Sequence, residues 1–76
     1  MLSPREWRKQ MKLPLAGAAS LAGVTGKNPG RTWQRWELGE RQPPLSIILK
    51  IDALSGGRVS TASWLAAKQS FEARAR

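Results

Sequence analysis

The chain has no cysteine, no histidine and no tyrosine, a single phenylalanine, and only five acidic residues among 76. Each absence excludes something. Without cysteine there is no disulfide framework and no thiolate metal site. Without histidine, the commonest general base and the commonest metal ligand are both missing. The acids are scattered, and Glu37 and Glu40 sit among cations. An enzyme is not expected, and no cofactor or metal is implied. Long apolar runs are lacking too. The stretch Leu13-Pro14-Leu15-Ala16-Gly17-Ala18-Ala19-Ser20-Leu21-Ala22 is too short to span a bilayer and is broken by proline, glycine and serine. With basic residues 5–12 ahead of it, the run resembles a secretory signal peptide. Glu6 and Trp7 in an apparent helix start argue against that reading, so a cytoplasmic, nucleoid-associated location is expected.

Positive charge is what the chain has in excess. Thirteen Lys and Arg against five Asp and Glu give a net charge of +8. That balance calls for a polyanionic partner, and nucleic acid and an acidic membrane surface both qualify. At this length one domain is expected over 1–76, with a core within about 3–57 that self-association would support.

Helical punctuation is frequent. Ser3-Pro4-Arg5-Glu6 reads as a capping box with Pro at the first helical position. Leu2 and Trp7 fit a hydrophobic staple. A first helix should run from about Pro4 to Met11, with Trp7 and Met11 facing inward, and Pro14 ends it. A second should occupy about Leu15 to Ala22, where Leu15, Ala18, Ala19 and Ala22 form a stripe of small apolar residues. Gly23 suits the left-handed position after that helix, and Thr25-Gly26-Lys27-Asn28-Pro29 is loop chemistry. Pro43 and Pro44 precede a fourth helix over about Leu45 to Ser55. Its stripe is Leu45, Ile48, Ile51 and Leu54, with Ile47 and Leu49 apolar off that stripe. Gly56 and Gly57 end it. A last helix, about Thr61 to Ala73, places Trp64, Lys68, Phe71 and Ala75 on one face. The only extended stretch is Arg58-Val59-Ser60.

The organising stretch is Gly30-Arg31-Thr32-Trp33-Gln34-Arg35-Trp36-Glu37-Leu38-Gly39. At helical spacing, Trp33 and Trp36 share one face and Arg31, Gln34 and Arg35 another. Asn28 and Pro29 supply a cap and a first residue, and Gly39 a stop. Bulky tryptophans complement the small stripe of the second helix. A basic amphipathic surface helix is the plain alternative.

From Trp7 to Trp64 the chain resembles the Cro/CI-type helix-turn-helix regulators, the xenobiotic-response-element family of phages and bacteria. The resemblance rests on Leu13, Ala19 and Gly23-Val24, then Arg35-Trp36-Glu37-x-Gly39-x-Arg41-x-Pro43. Ile51, Leu54 and Gly56-Gly57-x-Val59-x-x-x-x-Trp64 complete it. It implies an all-α, compact, four- to five-helix lambda-repressor-like domain that binds double-stranded DNA as a homodimer, usually as a repressor. By this likeness Gly30, Arg31, Gln34 and Arg35 read bases and Thr32 touches a phosphate. Arg8 pairs with Glu37, a contact worth about a kcal/mol unless buried. Two departures stand out. The segment from Val24 to Trp36 is about four residues longer than usual, so a loop replaces the tight turn. Pro14 and Leu15 stand where the family often has a polar pair that contacts the DNA backbone.

Physically, Arg31 and Arg35 suit guanine edges and Gln34 suits adenine. Lys12, Lys27, Arg41 and Lys9 suit phosphates. Ile47, Leu49, Trp64 and Phe71 are the expected dimer contacts, with the last helix serving dimerisation. The same set could instead bind a heterologous protein, as an antitoxin that also autoregulates its operon. A phosphate-binding loop at Gly26-Lys27-Asn28 fails, because Leu21 and Asn28 stand where Gly and Ser/Thr belong and no strand precedes it. Membrane binding is not expected, since the tryptophans are committed to a core.

Overall fold

Four tryptophans decide the architecture. Trp33 is fully buried, and its ring lies 6.4 Å from Trp7, 6.0 Å from Trp36 and 5.7 Å from Trp64, centroid to centroid. The first pair is tilted and the other two are edge-on. Such pairs add about 0.5–1.5 kcal/mol each beyond the area they bury. A computed structural model describes residues 2–74 as α1 (Pro4–Gln10), α2 (Leu15–Ala22), α3 (Pro29–Leu38), α4 (Leu45–Leu54) and α5 (Thr61–Arg74). No strand occurs among the described residues, so the protein is all-α. The indoles come from α1, α3 and α5, and one cluster therefore ties together helices far apart in sequence.

Local chemistry starts and stops these helices largely as the residues dictate. Ser3 accepts from the Glu6 amide at 3.1 Å, and Glu6 accepts from the Ser3 amide at 3.3 Å, closing the capping box. Gly23 and Gly39 end α2 and α3 in the left-handed conformation, and the Val24 and Glu40 amides return to Ala19 and Arg35. Ala18, Ala19 and Ala22 are buried where α2 meets α3, the most extensive helix pairing. The small stripe admits the indoles because a methyl leaves room for a ring.

Several expectations are corrected. α1 ends at Gln10, and Met11, its C-cap, is 53% exposed instead of facing inward. The core face of α4 consists of Ile48 and Ile51, with Ile47 half-buried against it, while Leu45 and Leu54 point outward. Nearly every early position of α4 is apolar, so the sequence pattern selects no face; packing against α2 and α5 does. Trp64 is 2% exposed and sits in the central cluster, so the core extends beyond residue 57 into α5. On α5, Lys68 is exposed and Phe71 half-buried; Ala75 lies outside the described residues. The Trp64 indole N–H is buried without a hydrogen-bond partner among the described residues. Its ring and that of Trp33 meet edge to face.

Gly39 is where α3 and α5 come closest. Its φ is +82°, and a Cβ built there would fall 2.1 Å from the Ala67 carbonyl oxygen. Gly39→Ala therefore combines a left-handed penalty of about 1–2 kcal/mol with a backbone clash that pushes α5 away. Gly56 has φ +66° and open space around its missing Cβ, so Gly56→Ala carries the first cost alone. Chemical unfolding should show Gly39→Ala losing at least about 2 kcal/mol more than Gly56→Ala; equal losses would mean that α5 does not lie against this turn.

Candidate nucleic-acid interface

The anchored side of α3 is built around one carboxylate. Glu37 accepts from Arg8 through Nε at 2.5 Å and Nη2 at 3.3 Å, and from the Trp33 indole at 2.5 Å. A third contact of Arg8, Nη1 to the Leu13 carbonyl at 3.0 Å, holds the corner between α1 and α2. The pair expected between Arg8 and Glu37 is therefore present and forked. It is also largely withdrawn from water, with side-chain exposures of 15% and 5%. The surface value of about a kcal/mol does not apply to such a pair, because removing one partner strands the other charge.

With Trp33 and Trp36 turned inward and Glu37 toward α1, the remaining arc of α3 carries Arg31, Gln34, Arg35 and Leu38, all exposed. At about 100° per residue, Arg31 lies centrally, with Gln34 and Arg35 to either side. Arg31 and Arg35 line one open depression of about 310 Å³ with Asn28 and Thr32. Asn28 holds the N-cap position, but its side chain does not cap. The first-turn amides of α3 thus keep their positive end open beside two guanidinium groups, an arrangement that favours anions. Gln34 falls on the opposite flank, in a trough of about 290 Å³ with Arg5, Leu15, Glu37, Leu38 and Arg74.

Other nominated residues are corrected by their surroundings. Gly30 is half-buried, and a Cβ there would lie 3.2 Å from the Ala16 amide nitrogen, so this position is a close approach of α3 to α2 and brings no side chain to the outer face. The Thr32 hydroxyl donates to the Asn28 carbonyl at 3.3 Å, so a phosphate would compete with that bond for its only proton. Trp64 is spent on the core; Ile47 is half-buried against that core, Phe71 is half-buried and Leu49 is exposed. Lys9, Lys12, Lys27 and Arg41 are exposed, as phosphate contacts must be. The lengthened connection spans residues 23–28, with Gly26 at φ +118°.

Three residues of this surface were not singled out from the sequence. Arg5 and Leu38 were visible as outward positions on their helices. Arg74 gave no such signal: its guanidinium donates to the Leu38 carbonyl at 3.3 Å, a contact across 36 positions. Lys50 is another, its ammonium lying 3.3 Å from where a Cβ on Gly23 would stand, at the carboxyl end of α2 where the helix dipole favours a cation. Among the described residues no three acidic side chains gather to hold a metal ion, and no helix is long and apolar enough to cross a membrane.

The clamp has a measurable worth. Glu37→Ala leaves Arg8 partly buried without its carboxylate and the Trp33 N–H without an acceptor. The expected loss is about 3 kcal/mol or more in urea unfolding, and Arg8→Ala with Glu37→Ala together should lose much less than the sum. Additive losses of under about 1 kcal/mol each would show that the pair behaves as a surface contact.

Neither a scan against protein-family models nor searches of curated proteins and of solved structures finds a significant match to this chain. What the interface does is therefore argued from its geometry and charge.

Proposed function

We propose that this protein is a sequence-reading, double-stranded-DNA-binding transcription regulator, a repressor of the Cro/CI kind that places α3 in the major groove of a palindromic operator. The observation that carries this reading is the division of α3. Its back is fixed by Trp33, Trp36 and Glu37, while Arg31, Gln34 and Arg35 are exposed on the front. A helix with a fixed roll presents donors at fixed places, and base recognition needs that. Arg31 and Arg35 take guanine O6 and N7 in bidentate fashion; Gln34 takes adenine N6 and N7. Lys12, Lys27 and Arg41 neutralise phosphates and release counterions, which gives affinity without sequence choice. Such a regulator works at the nucleoid of a bacterium or a phage host.

A single module of this size reads few base pairs, so a symmetric dimer on two half-sites about 34 Å apart completes the reading. Leu45 and Leu49, 64% and 56% exposed, stand four residues apart on α4 and supply an apolar contact for it. The same leucines favour a second reading, a heterologous protein partner of the kind an antitoxin binds.

Selection of bound oligonucleotides from a randomised duplex pool tests the first reading. The wild type should enrich a palindromic site. Arg31→Ala and Arg35→Ala should each relax choice at one position per half-site by about 1–3 kcal/mol, whereas Lys27→Ala should weaken all sequences alike. A pool that stays random with the wild type would sink the regulator reading. Sedimentation separates homodimer from missing partner: Leu49→Glu should convert a dimer to monomer, and a wild type already monomeric at tens of micromolar points to the heterologous partner.

A further inference from the structure

The trough on the Gln34 flank of α3 has no role in the reading above. It continues past Leu38 into a second hollow of about 340 Å³ between α1 and α5, and the two share Arg5, Glu37, Leu38 and Arg74. Arg5 and Arg74 thus stand together where the first helix, the recognition helix and the end of the last helix meet. Their charge is available. The only ion pair among the described residues is Arg8 with Glu37, and the Arg5 guanidinium makes no hydrogen bond there. Arg74 uses one donor on the Leu38 carbonyl, and a guanidinium has five. The two acids nearby are occupied: Glu37 accepts from Arg8 and Trp33, and Glu6 from the Ser3 amide. Both carboxylates stay charged, and Arg5, Arg8 and Arg74 against Glu6 and Glu37 leave the two hollows one net positive charge.

We infer that Arg5 and Arg74 form a phosphodiester seat, gripping the DNA strand that runs along the Gln34 flank of α3. This rests on the duplex reading proposed above. A helix is about 10–12 Å across with its side chains, and the major groove is about 12 Å wide, so a seated helix has a phosphate strand on each flank. Arg31, Arg35 and the open first turn of α3 serve one flank. Without Arg5 and Arg74 the other flank would offer the backbone only Leu15, Leu38 and a neutral amide, since Arg8 is committed to Glu37. Leu15 opens α2 and its side chain has no donor to give, so two arginines from α1 and α5 supply the charge that this helix start lacks. The contact between Arg74 and Leu38 then orders the seat in advance and fixes the end of α3 at the same time.

The test is the salt dependence of binding to a duplex of random sequence, between about 50 and 200 mM salt. Each phosphate neutralised contributes about 0.9 to the logarithmic slope, so the R5A/R74A double variant should flatten it by roughly two units, with an equal loss on every sequence. The charge-matched control R58A/K68A, both exposed and lining neither hollow, should leave the slope near that of the wild type. R5K/R74K should retain it, because counterion release counts charges and not guanidinium forks. Circular dichroism of each variant confirms that α5 is formed. A double variant no flatter than the control overturns the seat while leaving the duplex reading in place, and so does a lysine pair that fails to restore the slope in a folded protein. A wild type that ignores duplex altogether overturns both.

Discussion

The Glu37 carboxylate is the constraint on which the rest of the structure depends. It is the acceptor for a guanidinium from α1 and for an indole from its own helix. Hydrophobic burial alone would hold Trp33 and Trp36 inside but would tolerate some roll of α3, because packing is non-directional. Hydrogen bonds to a charged acceptor are directional and short, and they remove that freedom. Arg8 also holds the Leu13 carbonyl, so the same group sets where α2 begins. One carboxylate therefore positions both α2 and α3 relative to α1.

The use of that acid shapes the charge of the whole surface. With five acids against thirteen cations, each commitment of an acid leaves cations unmatched. Glu37 is buried in the clamp and Glu6 is held in the α1 cap, so the surface around α3 is left with guanidinium groups and few counter-charges. Self-repulsion among them lowers the stability of the isolated chain, and a polyanion relieves it. Binding and folding are coupled in this respect. Any polyanion that neutralises these cations would stabilise the same helix packing that presents them.

How much of this was legible in the sequence follows from how local each signal is. Ser3, Glu6, Gly23, Gly39 and the prolines act on neighbours within a turn, and the helix limits they imply agree with the structure to within a residue or two. The paired tryptophans and the small stripe of α2 were legible because periodicity and volume point the same way. The Arg8–Glu37 pair came from resemblance alone, and its burial had to be seen in the structure. α4 was misread because a helix apolar at Leu45, Ile47, Ile48, Leu49 and Ile51 has no preferred face until neighbours choose one. Trp64 was placed at an interface because its helix looked peripheral, yet the partner that buries it, Trp33, lies 31 positions away. Gly30 and Thr32 were assigned by position in a pattern, and contacts to Ala16 and Asn28 claim them. The seat formed by Arg5 and Arg74 joins the two ends of the chain, and no window along the sequence contains both.

The separation of anchor from reading face has a further consequence. Arg31, Gln34 and Arg35 contribute nothing to the indole cluster and make no ion pair among the described residues, so exchanging them costs little stability. Trp33, Trp36, Glu37 and Gly39 allow no such exchange, since each meets α1, α5 or the other indoles at close range. Under the proposed duplex reading, a chain built this way can change which sequence it selects while keeping one fold. The division of labour within ten residues of α3 is what allows it: the residues that hold the helix and the residues that face outward are different residues, and the one acid among them is spent on Arg8 and Trp33.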